Sequence, residues 1–145
     1  MNCTAKQNSL GCIPAIGWAG AASASNTDGF RVSAWDVRNQ KPGLLLYSLN
    51  GQAAIPVQGG TLCMNGPYRR TPGVTSGGSA QGADCTGLFS IDVNAFAHGA
   101  FGGNPSPSLT LPGSVIDCQW WGRDPGFVPP NNTTLSDALE FVVGP

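Results

Sequence analysis

Histidine occurs once in this sequence, so any Ser-His-Asp or Cys-His arrangement must be built around His98. Its surroundings, Ala97-His98-Gly99 beside a Gly-rich loop, carry no pattern that would orient an imidazole. Carboxylates for glycosidic hydrolysis could come from Asp84, Asp92, Asp117, Asp124, Asp137 and Glu140, but that chemistry needs a defined gap between two groups and no spacing here sets one. There is no GxSxG, P-loop or HExxH pattern, and the Gly-Gly pairs lack the strand-turn-helix setting of a nucleotide site. A small hydrolytic enzyme is the least supported reading, and neither a catalytic residue nor a cofactor is expected.

Cysteines stand at positions 3, 12, 63, 85 and 118 without a CxxC pair, and with one histidine to join them a metal site is not expected. Cys3 and Cys12 enclose a short segment containing Asn8, Ser9 and Gly11, and Cys63 and Cys85 enclose a Gly/Pro/Ser-rich loop. Closing such loops removes unfolded-chain entropy worth roughly 2–4 kcal/mol each. Disulfides Cys3–Cys12 and Cys63–Cys85 are the expected pairing, leaving Cys118, in an apolar run, as a buried free thiol. The alternative is five reduced core thiols in a cytosolic protein.

Aromatic residues beside polar ones offer a different chemistry. In Gln119-Trp120-Trp121-Gly122-Arg123-Asp124-Pro125 the two indoles fall on opposite faces of a strand, so one belongs to the core and the other faces out, with Trp120 the candidate for the outward ring. Trp35 shares a strand face with Arg31 and Ser33, the composition of an exposed polar-aromatic face or a cation–π stack. Tyr68-Arg69-Arg70 is the one local cluster of positive charge, suited to acidic polysaccharide or to a solvated strand. Exposed indoles near hydrogen-bonding groups stack against sugar rings, whose C–H faces are apolar. The candidate ligand-binding residues are therefore Trp120, Trp35, Tyr68, Arg69 and Arg70. Trp18 is expected to anchor an N-terminal loop over the core, and Arg123 with Asp124 to form a carboxylate clamp on a turn.

These side chains need strands to place them. Phe30 to Val37 alternates as a half-buried strand, Leu44 to Leu49 forms another after the Lys41-Pro42-Gly43 turn, and Asn50-Gly51 is the strongest hairpin signal in the chain. Further strands are expected at Ala54–Val57, Leu62–Met64, Tyr68–Thr71, Leu88–Val93, Ser114–Arg123 and Asp137–Val143, with one helical turn at Asn94–His98. Pro72 to Gly87 contains almost no large apolar residue and reads as a long surface loop tethered by Cys85.

Composition supports one all-β domain over residues 1–145. Gly and Pro supply 21 and 12 of the 145 residues and only 10% are charged, against about 25% in ordinary domains, as in a turn-rich chain. Seven or eight short strands without a βαβ rhythm give an antiparallel β-sandwich with long Gly-rich loops, a small β-barrel being the alternative. A net charge of −1 supplies no basic field for nucleic acid, and the longest apolar stretch, Leu44 to Leu49, is too short for membrane insertion. Met1-Asn2-Cys3 does not begin a charged and then apolar leader, which leaves an intracellular protein or a mature module as readings.

Several segments together carry a resemblance: Cys3-Thr4-Ala5-Lys6 with Leu10 to Gly17, Lys41 to Ser48, Leu62-Cys63, Arg69-Arg70-Thr71, Ser76-Gly77-Gly78, Asp84-Cys85, Gln119 to Asp124 and Leu135 to Phe141. Over nearly the whole chain it resembles the cysteine-containing accessory modules at the C-terminal ends of large secreted bacterial proteins. The resemblance implies secretion or cell-surface display and attachment to other domains, and it implies no activity or ligand. Such modules often end in Cys-Pro where this chain has Val143-Gly144-Pro145, which fits an unpaired Cys118. Two readings follow. One is a non-catalytic extracellular module binding polysaccharide through exposed aromatic residues; the other is a structural, adhesive or secretion-sorting module that contacts a cell-surface component.

Overall fold

The alternating segments fold as strands. The computed structural model describes residues 1–145. Its strands are β1 (Ala15–Gly20), β2 (Phe30–Val37), β3 (Pro42–Ser48), β4 (Gln52–Val57), β5 (Gly60–Met64), β6 (Arg69–Arg70), β7 (Val74–Thr75), β8 (Gly87–Asp92), β9 (Val115–Arg123) and β10 (Thr133–Val142). A short helix α1 (Val93–Ala97) and one 3₁₀ turn (Pro107–Thr110) complete it. β1-β2-β8 form a three-stranded antiparallel sheet, and β10-β9-β3-β6, with β7 also on β3, form a five-stranded one. Neither closes into a barrel. The two face each other across one core, with Phe30, Val32, Phe89 and Ile91 from the smaller sheet against Leu45, Tyr47, Ile116 and Trp120 from the larger. The fold is an antiparallel β-sandwich.

Phe89 locks the sheets together. Gly43 and Gly122 are register partners on β3 and β9 with their missing side chains directed inward, and the Phe89 ring fills the space. A Cβ on Gly43 would fall 2.3 Å from the ring and one on Gly122 2.7 Å from it. The ring then stacks on Trp120 at 5.3 Å between centroids. Trp120 is thus 1% exposed, and its assignment as a ligand-binding residue is corrected: the core alternation Ile116, Cys118, Trp120 along β9 selects it as the inward member of the pair.

The Asn50-Gly51 signal makes a turn but not the expected hairpin, because β3 is already paired with β9 on one edge and with β6 and β7 on the other. Gly51, at φ +86°, turns the chain out of the sheet. The hairpin instead joins β4 to β5 through Gln58 and Gly59, both at positive φ as a type I′ turn requires. It lies over the outer face of the larger sheet, where the buried Gln119 amide accepts from the Cys63 N–H and donates to the Thr61 carbonyl. Two strands fall where none was expected, the two-residue β7 inside the Pro72–Gly87 stretch and β1 near the N-terminus. The small residues of β1 pair with β2 along its whole length.

The disulfides join Cys3 to Cys63 and Cys12 to Cys85, so the expected pairing Cys3–Cys12 and Cys63–Cys85 is corrected. From Asn2 to Lys6 the chain runs along β10, bonding Ala138 and then Leu135, and this carries Cys3 away from Cys12. Cys12 is fixed beyond it by the Asn8 side chain, whose oxygen accepts from the Leu10 and Cys12 N–H groups. Separations of 60 and 73 residues raise the chain-entropy contribution to roughly 4 kcal/mol per bridge. Cys118 is free and buried. The Pro72–Gly87 segment is built on the buried Asn39, whose amide donates to Ser79 and Gly82 and accepts from Asp84, as well as on Cys85.

Two outcomes follow from this packing. Gly122→Ala should force the Phe89 ring to move and lower stability by about 1–3 kcal/mol, read as a fall in the denaturant midpoint; an unchanged midpoint would contradict the lock. Alkylation without reductant should leave the native chain unlabelled and add one label after unfolding, by intact mass.

Candidate functional site

The outer face of the smaller sheet presents Arg31, Ser33 and Trp35 from β2 with Leu88, Ser90 and Asp92 from β8, by the same alternation that buries Val32, Ala34, Phe89 and Ile91. Between Ala34 and Val37 the register slips: Trp35 and Asp36 together oppose Leu88 alone. This is a β-bulge, a device that re-aims side chains and recurs beside functional sites. Asp36 takes the left-handed backbone at φ +59°, which is uncommon for any residue but glycine.

The bulge leaves Trp35 47% exposed. Its six-membered ring lies over Gly17 of β1, where a Cβ would come within 2.6 Å of the indole. Beside it runs a polar row. The Ser33 and Ser90 hydroxyls share a hydrogen bond of 2.9 Å, and Arg31 Nη1 donates to Ser90 Oγ at 3.0 Å. A cleft of about 450 Å³ opens beyond Arg31, between Ser90 and Asp92 on one side and Pro72, Val74 and the half-exposed Phe101 on the other.

The other candidates lie elsewhere. Tyr68 is 43% exposed, and Arg69 and Arg70 are exposed on β6, at the edge of the larger sheet. Arg70 lines an apolar groove with Leu44, Leu46, Leu62 and Trp121. The five candidates thus divide among the core (Trp120), the smaller sheet's outer face (Trp35) and the larger sheet's edge. Trp121, not Trp120, is the outward indole, with the Arg123 guanidinium 4.7 Å from its ring. Trp18 is half exposed on β1 beside Met1, Phe30 and Phe141. Phe101 and Ser90 were not singled out from sequence. A lone aromatic in the Gly-rich Gly99–Gly103 stretch was the available signal for the first, and the outward phase of Leu88-Phe89-Ser90-Ile91 for the second.

His98 and Asp124 have partners within the fold. His98 Nε2 lies 3.1 Å from the Ala24 carbonyl oxygen. Asp124 does clamp a turn with an arginine, but the arginine is Arg38, at 3.3 Å, and not its neighbour Arg123. Burial disfavours the Asp124 charge, yet donors from Ser9, Gly126 and Arg38 outweigh it and hold the carboxyl below its ordinary range. Asp117 sits opposite Glu140 in the β9–β10 ladder and is buried. Burial, and then the Glu140 carboxyl, push its pKa up to about 6.

Compared with family models, with curated proteins and with solved structures, the chain finds no match. Nor is any helix long and apolar enough to cross a membrane.

An unfolded aspartate titrates at about 3.9, so a folded pKa of about 6 means that protonation of Asp117 favours the folded state. That contribution is full below about pH 4 and is lost as pH rises through about 6. The thermal midpoint should therefore climb as pH falls from about 7.5 to 5, and Asp117→Asn should flatten the climb; parallel profiles would contradict the assignment.

Proposed function

We propose that this domain is a non-catalytic extracellular accessory module that binds polysaccharide through Trp35 and the polar row beside it. The β-bulge at Trp35-Asp36 carries the reading, since it holds a large indole half in water over a residue without a side chain. One ring face meets Gly17 and the sheet. The open part offers the apolar surface that the C–H face of a sugar takes up, while Arg31 and the half-buried Ser90 supply donors and acceptors for hydroxyl groups and the buried Ser33 holds Ser90 in place.

Two disulfides fit an oxidising compartment, in keeping with the proposed secretion or surface display. Attached to other domains of a secreted chain, such a face would raise their effective concentration on a polymer without any chemistry of its own. Tyr68, Arg69 and Arg70 lie at and before edge strand β6 of the other sheet and do not line the cleft at Arg31, so they are not part of the proposed site.

The test is retention on insoluble glycans (cellulose, chitin, xylan) and titration with soluble polymers, followed by tryptophan fluorescence. Trp35→Ala should weaken binding roughly ten- to thirtyfold, or about 1.4–2 kcal/mol, with its fold intact by circular dichroism. Failure of every glycan to bind, or binding indifferent to Trp35→Ala, would overturn the reading in favour of a structural or adhesive module.

A further inference from the structure

Resting on that reading, we infer that the polysaccharide taken by this face carries carboxylate groups, and that Arg31 holds them at the Phe101 end of the site. Of the seven Lys and Arg side chains, Lys41, Arg69 and Arg70 form no ion pair, but they belong to the larger sheet or the chain entering it and not to the face of Trp35. The Lys6 ammonium is enclosed by the carbonyls of Gln58, Asn131 and Thr133, Arg38 is paired with Asp124, and Arg123 lies over Trp121. Arg31 is exposed, makes no ion pair, and donates from Nη1 alone, to Ser90. Its Nε and Nη2 edge is unengaged. Two parallel N–H groups in one plane are the geometry that a carboxylate accepts bidentately.

A carboxylate already stands across the ladder from Arg31, but it is committed to the backbone. Asp92 Oδ1 accepts from the Ala95 N–H at 3.0 Å and Oδ2 from the Gly29 N–H at 2.8 Å. Asp92 therefore does not close on the guanidinium. The one carboxylate of β2 itself is Asp36, exposed beside Trp35 at the far end of the strand. An anionic sugar next to the indole would meet Asp36 with no guanidinium beside it, whereas at the other end Arg31 stands beside Asp92 and offsets its charge.

The dimensions agree. Arg31 and Trp35 are four residues apart on one strand, about 13 Å, the span of a short oligosaccharide and not of one ring. The cleft at the Arg31 end is about 450 Å³, within the ordinary size of small-ligand sites, and Phe101 forms its apolar far wall. A sugar carboxylate directed at Arg31 would place its ring between Phe101 and the strand.

The test compares polygalacturonate and alginate with fully methyl-esterified polygalacturonate, neutral xylan and a sulfated galactan, by titration at low and high salt. Binding to the two carboxylate polymers should be at least tenfold tighter than to the ester and should weaken as salt is raised. Arg31→Gln should remove the difference between acid and ester with the thermal midpoint unchanged, and Trp35→Ala should weaken both. Equal binding of acid and ester, an acid preference that survives Arg31→Gln, or tighter binding of the sulfated galactan would each overturn the carboxylate assignment while leaving a glycan-binding face. Binding to none of the polymers would overturn the underlying reading as well.

Discussion

An ammonium group withdrawn from water must have all three of its N–H donors met, and the donors of Lys6 are met by three backbone carbonyls from two separate stretches of chain. Gln58 lies in the β4–β5 turn, and Asn131 and Thr133 at the entry to β10, so one side chain pins the outer hairpin, the approach to β10 and the N-terminal segment to a common point. The Phe127 ring, 4.5 Å from the nitrogen, covers it. Burial lowers the Lys6 pKa and the charge of Asp124 opposes that shift, so the positive charge here is held by its surroundings and not by solvent. Both disulfides begin on the segment that Lys6 fixes. With residues 2–6 held against β10, Cys3 meets the hairpin and Cys12 meets the loop before β8.

That arrangement leaves the smaller sheet with one duty on each side. Its inner face delivers Phe89 into the gap between Gly43 and Gly122, which secures it against the larger sheet. Its outer face carries none of the chain's other layers near Trp35, because the hairpin packs on the opposite side of the sandwich. Two-residue periodicity couples the faces: the register that seats Phe89 and Val32 inside also sets Ser90, Arg31 and Ser33 outside. The bulge after Ala34 is the one break in that coupling. It lets Trp35 and Asp36 both face solvent while Val37 returns to the core.

Much of this was legible in the sequence where alternation was strong. The strands around Phe30–Val37, Leu88–Asp92 and Val115–Arg123 were readable because Phe, Val, Ile and Trp recur with period two, and the shared face of Arg31, Ser33 and Trp35 came with them. β1 was not legible, since Ala, Gly and a single Trp give little contrast between faces. Nor was the identity of the buried indole, because adjacent tryptophans are equivalent until the phase of Ile116 and Cys118 is known. Disulfide pairing failed for a different reason. Loop length favours near neighbours only when the intervening chain is free to curl, whereas here residues 2–6 are stretched along β10 by backbone bonds that no local pattern announces. The bulge and the cleft at Phe101 depend on two-against-one register and on loops meeting in space, and neither leaves a local trace.

The fifth cysteine also has a chemical consequence. Thiol–disulfide exchange starts from a thiolate that can reach a sulfur, and burial, with the Asp117 charge beside it, pushes the Cys118 thiol far above its ordinary range. The folded molecule therefore contains no internal nucleophile able to attack its own bridges. Once Cys3–Cys63 and Cys12–Cys85 are made, their connectivity is inert to self-shuffling, and only an external thiol or a global opening of the sandwich can rewrite it.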